Sequence, residues 1–196
     1  NISVSDNIDS NVAVVNLGSA HLSPGHHMVN WLAEDSAGNR TTTTQTINVN
    51  PQVMLSKTQT SSEDNLVTVN VALSGNAPVY PVLVPFSIGG TVDLADYTLS
   101  DDSNVTEQST QIEGTLIFEE GIEEGVKAVI LLQIVDDQIA EIDEHLIITF
   151  SDPINAVMGM NTQHQVTITE ANIAPSLTLQ AEQNGLPVTT VSAADG

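Results

Sequence analysis

The sequence contains no cysteine and few basic residues. Without cysteine, neither a disulfide nor a thiolate can contribute to the fold or to a reaction. Lys57, Lys127 and Arg40 stand against 25 acidic residues, so the formal net charge is −22. Because nucleic acids and anionic lipids are bound by clustered Lys and Arg, this charge predicts that neither is a partner. It suits a protein that is soluble outside the cell or that binds cations.

Long apolar runs and catalytic motifs are also missing. The longest apolar run, AVILL at 128–132, is far shorter than the roughly 18 residues that a membrane helix requires, so we expect no membrane span. No GxSxG, HExxH or phosphate-loop motif occurs, and aromatic residues make up only 3% of the chain, too few for the sugar platform of a glycosidase. We therefore predict that the protein is not an enzyme. The chain starts at Asn1 without an initiator Met or a signal peptide, so we expect it to be a piece of a longer polypeptide.

Apolar and polar residues alternate with period two along much of the chain, which is typical of half-buried β-strands. In one example, Val67, Val69 and Val71 alternate with Thr68 and Asn70. No stretch shows helical periodicity, and short strands separated by polar turns predict an all-β sandwich. The segments predicted to form strands in the middle of the chain are 53–57, 66–74, 81–88, 115–118, 126–135, 145–150 and 164–169.

The strand pattern also predicts the domain organisation. Residues 1–50 read as the closing strands of one immunoglobulin-like module, and Asn50-Pro51 marks its boundary. Residues 52–172 contain a full set of strands, whereas 173–196 read as the opening strands of a further module. We therefore expect an all-β chain of immunoglobulin-like β-sandwich modules in tandem, one complete and two partial.

The segment IVDDQIAEIDEH at 134–145 carries five carboxylates between two apolar stretches. Such crowding is tolerated in a solvated loop or around a bound cation. Since successive strands of a sandwich mostly reverse direction, four acidic or amide-bearing places are expected at one end of the domain. These places are 61–64, 90–96, 135–137 and 169–172. Ca²⁺ takes about 6–8 oxygen ligands in flexible geometry, so the convergence predicts a calcium site.

The ordered runs GTVDLADYT, GTLIF and IVDDQIAEIDEHLIITFSDP resemble the Calx-beta domain over roughly residues 53–172. The resemblance implies a seven-stranded immunoglobulin-like sandwich that binds Ca²⁺ through the loops at one end. It matches Glu63, Asp96, Asp136 and Asp137 to acidic residues of the family's motifs. The chain departs from the pattern after its last strand, where many members have consecutive aspartates and this sequence has Thr169-Glu170-Ala171-Asn172.

Together, these observations define a set of candidate calcium ligands and their alternatives. For Asp136 and Asp137, the alternative to a metal site is a solvated hairpin loop. Asp93 is either a ligand or the residue that sets an Asx turn. We interpret Glu141, Asp143 and Glu144 as the polar start of a strand and not as ligands. The predicted metal-site residues are Glu63, Asp93, Asp96, Asp136, Asp137 and Glu170.

The N-terminal region contains polar residues to which we assign structural roles. His26 and His27 are adjacent on a predicted strand, so they should point to opposite faces and not share one zinc ion with His21. Asp35 and Asn39 in EDSAGN are predicted to set a hairpin turn, and the less favoured alternative is a role in binding calcium.

The flanking segments resemble modules of surface proteins. WLAEDSAGN…TQTINV is similar to the closing strands of bacterial immunoglobulin-like or hyalin-type repeats, and APSLTLQAEQNGLPVTTVSAADG is similar to the start of a PKD-type repeat. The resemblances imply a calcium-binding structural or adhesive module of a bacterial extracellular or cell-surface protein. Its expected partners are neighbouring domains or adjacent subunits, and calcium would stiffen the junction at 170–176. Two alternatives are a module that binds a carbohydrate or another ligand, and a filament subunit assembled by strand addition.

Overall fold

The computed structural model describes residues 2–101, 103–110, 112–121, 127–136, 142–169, 182–183 and 186–187. Within these ranges the chain forms β-strands and no helix, which confirms the prediction of an all-β fold. The described part therefore also contains no helix that could span a membrane.

The N-terminal region forms a three-stranded antiparallel sheet. Its strands, which are hydrogen-bonded in chain order, are β1 (Ala13–Asn16), β2 (Gly25–Glu34) and β3 (Arg40–Val49).

Two further sheets are formed by the middle of the chain. The strands of this region are β4 (Gln52–Leu55), β5 (Thr58–Ser62), β6 (Leu66–Leu73), β7 (Val82–Gly90), β8 (Tyr97–Leu99), β9 (Val105–Thr110), β10 (Glu113–Phe118), β11 (Lys127–Ile134), β12 (Glu144–Phe150), β13 (Val157–Met158) and β14 (Gln163–Thr169). One sheet has the order β5-β14-β12-β7-β10-β9, and the other has the order β13-β4-β6-β11-β8. A two-stranded hairpin, β15 (Glu182–Gln183) and β16 (Leu186–Pro187), follows.

The two larger sheets form a β-sandwich with one hydrophobic core. Alternate residues of β6, including Val67, Val69 and Val71, are buried from one sheet, and Val82 and Val84 of β7 are buried from the other. Removal of these apolar faces from water is the main favourable contribution to folding. The period-two pattern of the sequence thus reflects the burial of one face of each sheet in the sandwich.

The sandwich contains several strands that the sequence did not predict. The predicted strand 53–57 corresponds to β4, which ends at Leu55; the chain then enters β5 in the other sheet, a strand that was not predicted. β8, β9 and β13 were not predicted. β8 and β13 have three and two residues, too few to show a period. β9 has the polar sequence VTEQST and pairs with β10 through register shifts, so no alternation marks it.

The N-terminal sheet touches the sandwich at the end where β6 finishes. A Cβ atom placed on Gly75 would lie 3.2 Å from Cβ of Pro24, which precedes β2. Pro51, between β3 and β4, is buried, and the next amide, Gln52 N–H, donates to Ser74 Oγ at 2.8 Å. The connection between the two regions is therefore short and packed on the described residues.

Candidate metal site

Strand direction brings the acidic loops to one end of the sandwich. β6 begins where β11 ends, since Leu66 is paired with Gln133 and Ile134 N–H donates to Asn65 O at 3.0 Å. β7 ends where β12 begins, with Gly90 paired to Leu146. β14 ends at the same level, because its penultimate residue is paired with the first residue of β12. The expected convergence of these strand ends is thus present in the described part of the chain.

Asp96 and Asp136 extend from neighbouring strands at this end. Tyr97, the first residue of β8, is paired with Ile134, the last residue of β11. One step further, Val135 N–H donates to Asp96 O at 2.8 Å. The backbone at Asp96 therefore lies directly beside the backbone that leads to Asp136, whose side chain is exposed.

The loop that carries Asp93 and Asp96 is fixed to β12 at its start. Gly90 has a φ of 121°, and a Cβ atom there would lie 1.9 Å from His145 O, so only glycine fits. Thr91 N–H donates to His145 O at 2.9 Å, and His145 N–H donates to Thr91 Oγ1 at 2.8 Å. This clamp sets where the acidic loop leaves the six-stranded sheet.

Within the loop, the two carboxylates bind backbone amides. Asp93 Oδ1 accepts a hydrogen bond from Ala95 N–H at 2.6 Å, and Asp96 Oδ2 accepts one from Asp93 N–H. The first contact is an Asx turn, so Asp93 sets the turn, and its role as a ligand stays a prediction.

Tyr97 lies beneath the acidic loop. Its side chain is buried, with 2% of its surface exposed. Burial raises the pKa of the Tyr97 phenol above its ordinary value of 10.0, and the neighbouring Asp96 carboxylate raises it further. The pKa of the Tyr97 phenol should therefore respond to a change of charge at Asp96.

Glu63 lies in a pinned turn at the same end. Asn65 Nδ2 donates to Ser62 Oγ at 2.6 Å and to Glu63 O at 3.1 Å, and Asp64 adopts a left-handed φ of 56°. Glu63 N–H donates to Thr169 O at 3.3 Å. Glu63 is therefore held beside the end of β14, from which the chain continues to Glu170.

Several predicted residues fall outside the described ranges. Asp137, Glu141 and Glu170 are among them, as is the predicted junction at 170–176. β12 begins at Glu144, where the sequence predicted the polar start of a strand. Across the ranges that the structure describes, no three acidic or histidine side chains are close enough to hold one metal ion.

The histidines of the N-terminal sheet have separate hydrogen-bond partners. His26 Nδ1 lies 2.9 Å from Asn48 Oδ1, and His27 Nε2 lies 2.7 Å from Ser23 O. Because they are consecutive residues of β2, their side chains are on opposite faces of the sheet.

Asp35 sets the turn between β2 and β3. Its carboxylate accepts hydrogen bonds from Ala37 N–H at 2.9 Å, Asn39 N–H at 2.8 Å and Asn39 Nδ2 at 2.7 Å. The bonds from Asn39 lower the pKa of Asp35. Asp9 accepts from Ser36 N–H at 2.8 Å, and hydrogen bonding to Ser36 lowers the pKa of Asp9. This carboxylate pair is used to build the hairpin turn.

A fully buried histidine was not singled out from the sequence. His164 on β14 is fully buried; its Nδ1 lies 2.9 Å from Ser56 O, and its Nε2 has no hydrogen-bond partner in the described structure. Its burial could have been predicted from the sequence, because His164 lies on the same face of the strand as the apolar residues Val166 and Ile168. It lies inside the core and not among the acidic loops.

No family model matches this sequence, and no curated protein is significantly similar to it. The likeness to the Calx-beta domain therefore rests on the short motifs of the sequence.

Proposed function

We propose that this chain is a calcium-binding structural or adhesive module of a bacterial extracellular protein. The supporting observation is that strands of the sandwich bring Asp96 and Asp136 to adjacent backbone positions at one end. The turn with Glu63 and the loop with Asp93 lie at the same end. A cluster of carboxylates on separate loops is the type of ligand set that Ca²⁺ accepts.

The charge of the chain favours a cation at this end. With a net charge of −22, each additional carboxylate brought to the loops raises the repulsion among them. A bound divalent cation would offset that repulsion and would be coordinated by carboxylate oxygens of Asp93 and Asp96. Asp137 follows Asp136 directly and Glu170 follows Thr169, so both are near enough in sequence to complete the ligand set.

The proposal extends to the setting of the module. In it, residues 1–50, 52–172 and 173–196 belong to successive immunoglobulin-like modules of a secreted or surface protein. Calcium at the end where β14 finishes would restrict the junction at 170–176, because the chain passes from the site into the next module. The role is binding and mechanical and not catalytic, and the partners are neighbouring domains or subunits.

The first experiment measures thermal unfolding in millimolar Ca²⁺ and in chelator. A ligand at about 100 times its dissociation constant stabilises a native state that alone binds it by about 2.7 kcal/mol, so the melting temperature should rise by several degrees. Asp136→Asn combined with Asp137→Asn should abolish the rise. Asp152→Asn is the matched control, because Asp152 follows the other end of β12, and it should leave the rise intact.

Magnesium at the same concentration separates a specific site from general screening. Mg²⁺ requires near-octahedral geometry and gives up water reluctantly, so it should produce little of the rise. Equal stabilisation by both ions, or a rise that survives in the Asp136/Asp137 variant, would contradict the proposal.

A further inference from the structure

β3 differs from the other edge strands of the described sheets. β8 and β13 have three and two residues, β1 has four and β5 has five. β9 is longer but pairs through register shifts. Short length and bulges are the usual protections of a sheet edge against pairing with another chain. β3 has ten residues without proline and is paired with β2 in unbroken register.

The outer edge of β3 presents backbone groups at defined positions. Asp35 N–H donates to Asn39 O at 3.1 Å, and hydrogen-bonded pairs alternate along an antiparallel ladder. The even-numbered residues Thr42, Thr44 and Thr46 therefore direct their N–H and C=O groups away from β2. The bond from Leu17 N–H to Asn30 O at 2.9 Å agrees, because Asn30 is paired with Thr44 and faces β1 instead.

β3 is also a long edge along which two such acidic chains can approach each other without opposing carboxylates within the strand. The segment Arg40–Val49 contains no acidic residue, although the chain as a whole carries a net charge of −22. Its one charge, on Arg40, is bound to Glu34 at 3.0 Å. Threonine is favoured in strands, and Thr–Thr pairs across strands are stabilising.

We propose that two copies of this chain associate through β3, with their β3 strands antiparallel about a two-fold axis. Pairing centred on Thr44 places Thr42 opposite Thr46 of the second copy, and Arg40 opposite Asn48. No like charges face each other in this register. Because the same edge is used by both copies, the contact closes as a dimer and does not propagate into a filament.

The test measures molar mass by sedimentation or by light scattering across a concentration series. Chelator is present throughout, so that the result is independent of the proposed calcium site. The mass of the unaltered chain should rise to twice the monomer value. Thr46→Pro removes an outward N–H and should abolish the rise, whereas Thr46→Val keeps the N–H and should preserve it. Trp31, whose Nε1 donates to Gln45 Oε1 at 3.0 Å, reports by fluorescence whether the variant sheet is folded.

A second pair of variants tests the register without proline. Thr42→Lys with Thr46→Lys places lysine opposite lysine in the dimer and should weaken it about tenfold. Thr42→Lys with Thr46→Glu places opposite charges across the axis and should strengthen it. A monomer at all concentrations, an open ladder of higher oligomers, or equal effects of the two double variants would overturn the proposal. An open ladder would instead favour strand donation between successive copies.

Discussion

β6 of the sandwich and β3 of the N-terminal sheet both have alternating side chains, but they differ in how far those side chains are buried. Both are extended strands with side chains alternating between two faces. Val67, Val69 and Val71 of β6 are at most 3% exposed, whereas Ile47 and Val49 of β3 are only partly buried. Alternation decides on which face a side chain lies, but burial requires other residues packed over that face; a facing sheet covers a whole strand, whereas a loop covers single residues such as Val29 of β2. The sandwich has a facing sheet, and the described part of the N-terminal region provides none for β3.

The largest expected difference between the two regions comes from truncating an apolar strand residue in each. Ile130 on β11 is fully buried in the core, so Ile130→Ala should destabilise the sandwich by about 2–5 kcal/mol. Met28 on β2 is 71% exposed, so Met28→Ala should change stability by about 0.5 kcal/mol or less.

Denaturant unfolding measures both variants. The single tryptophan, Trp31, lies in the N-terminal sheet, so its fluorescence follows that region, and far-ultraviolet circular dichroism follows the whole chain. If Met28→Ala cost as much as Ile130→Ala, the N-terminal sheet would have a buried outer face and the comparison would fail.

The second prediction concerns two adjacent glycines at the end of β7. Gly90→Ala should destabilise the sandwich, because a Cβ there meets His145 O at 1.9 Å and the φ is 121°. A strained backbone position of this kind costs about 1–3 kcal/mol. A Cβ on Gly89 meets nothing within 4 Å, so Gly89→Ala is a matched control.

Thermal unfolding of both variants is the measurement. Gly90→Ala should also reduce the calcium-dependent rise in melting temperature, because the loop that carries Asp93 and Asp96 starts at the clamp beside it. Equal stability of the Gly89 and Gly90 variants would show that the clamp does not hold the loop.

Much of the sandwich was predictable because its central strands have a strong period. The segments 66–74 and 164–169 were predicted within about a residue of β6 and β14. The sheet change after β4 was not predictable, since a chain that crosses between sheets keeps its alternation. The short strands β8 and β13 depend on pairing partners that are distant in sequence, and local patterns carry no sign of them.

The candidate site was predictable at the level of strand ends but not of contacts. Strand reversal was enough to place Asp96 and Asp136 at one end. The Asx turn of Asp93 was one of two open alternatives, and the bond to Ala95 N–H establishes the turn, whereas binding of a cation by Asp93 stays a prediction. The clamp between Thr91 and His145 joins residues 54 positions apart, so no local motif marks it.

The third prediction tests what holds the N-terminal hairpin, because no sheet within the described ranges faces β3. Asp35→Ala removes the acceptor of three hydrogen bonds and should shift the Trp31 transition to lower denaturant. Asp152→Ala, at an exposed loop of the sandwich, should not. The pKa of Asp35 is lowered from 3.8 in the fold, so its contribution is present above that pH and is lost as the pH falls through the lowered pKa.

Acid titration followed by Trp31 fluorescence measures this loss. The N-terminal sheet should weaken below pH 3.8 in the unaltered chain and much less steeply in Asp35→Ala. Identical acid profiles for the two proteins would assign the hairpin's stability to other bonds.

The smallest expected effect is a shift in the titration of Tyr97, and it links the core of the sandwich to the acidic loops. Burial raises the pKa of Tyr97 above 10.0, and the Asp96 carboxylate raises it further. Because the neutral phenol is favoured in the fold, its stabilising contribution is complete below the ordinary pKa and is lost as the pH rises through the raised one.

A calcium ion bound by Asp96 would offset the carboxylate's charge, so Ca²⁺ should lower the pKa of Tyr97. Asp96→Asn should lower it in the same direction and leave no further response to Ca²⁺. Ultraviolet absorbance of tyrosinate measures the titration, and Tyr97→Phe identifies the contribution of Tyr80.

A Tyr97 titration unchanged by Ca²⁺, in a protein whose melting temperature does rise with Ca²⁺, would place the ion away from Asp96.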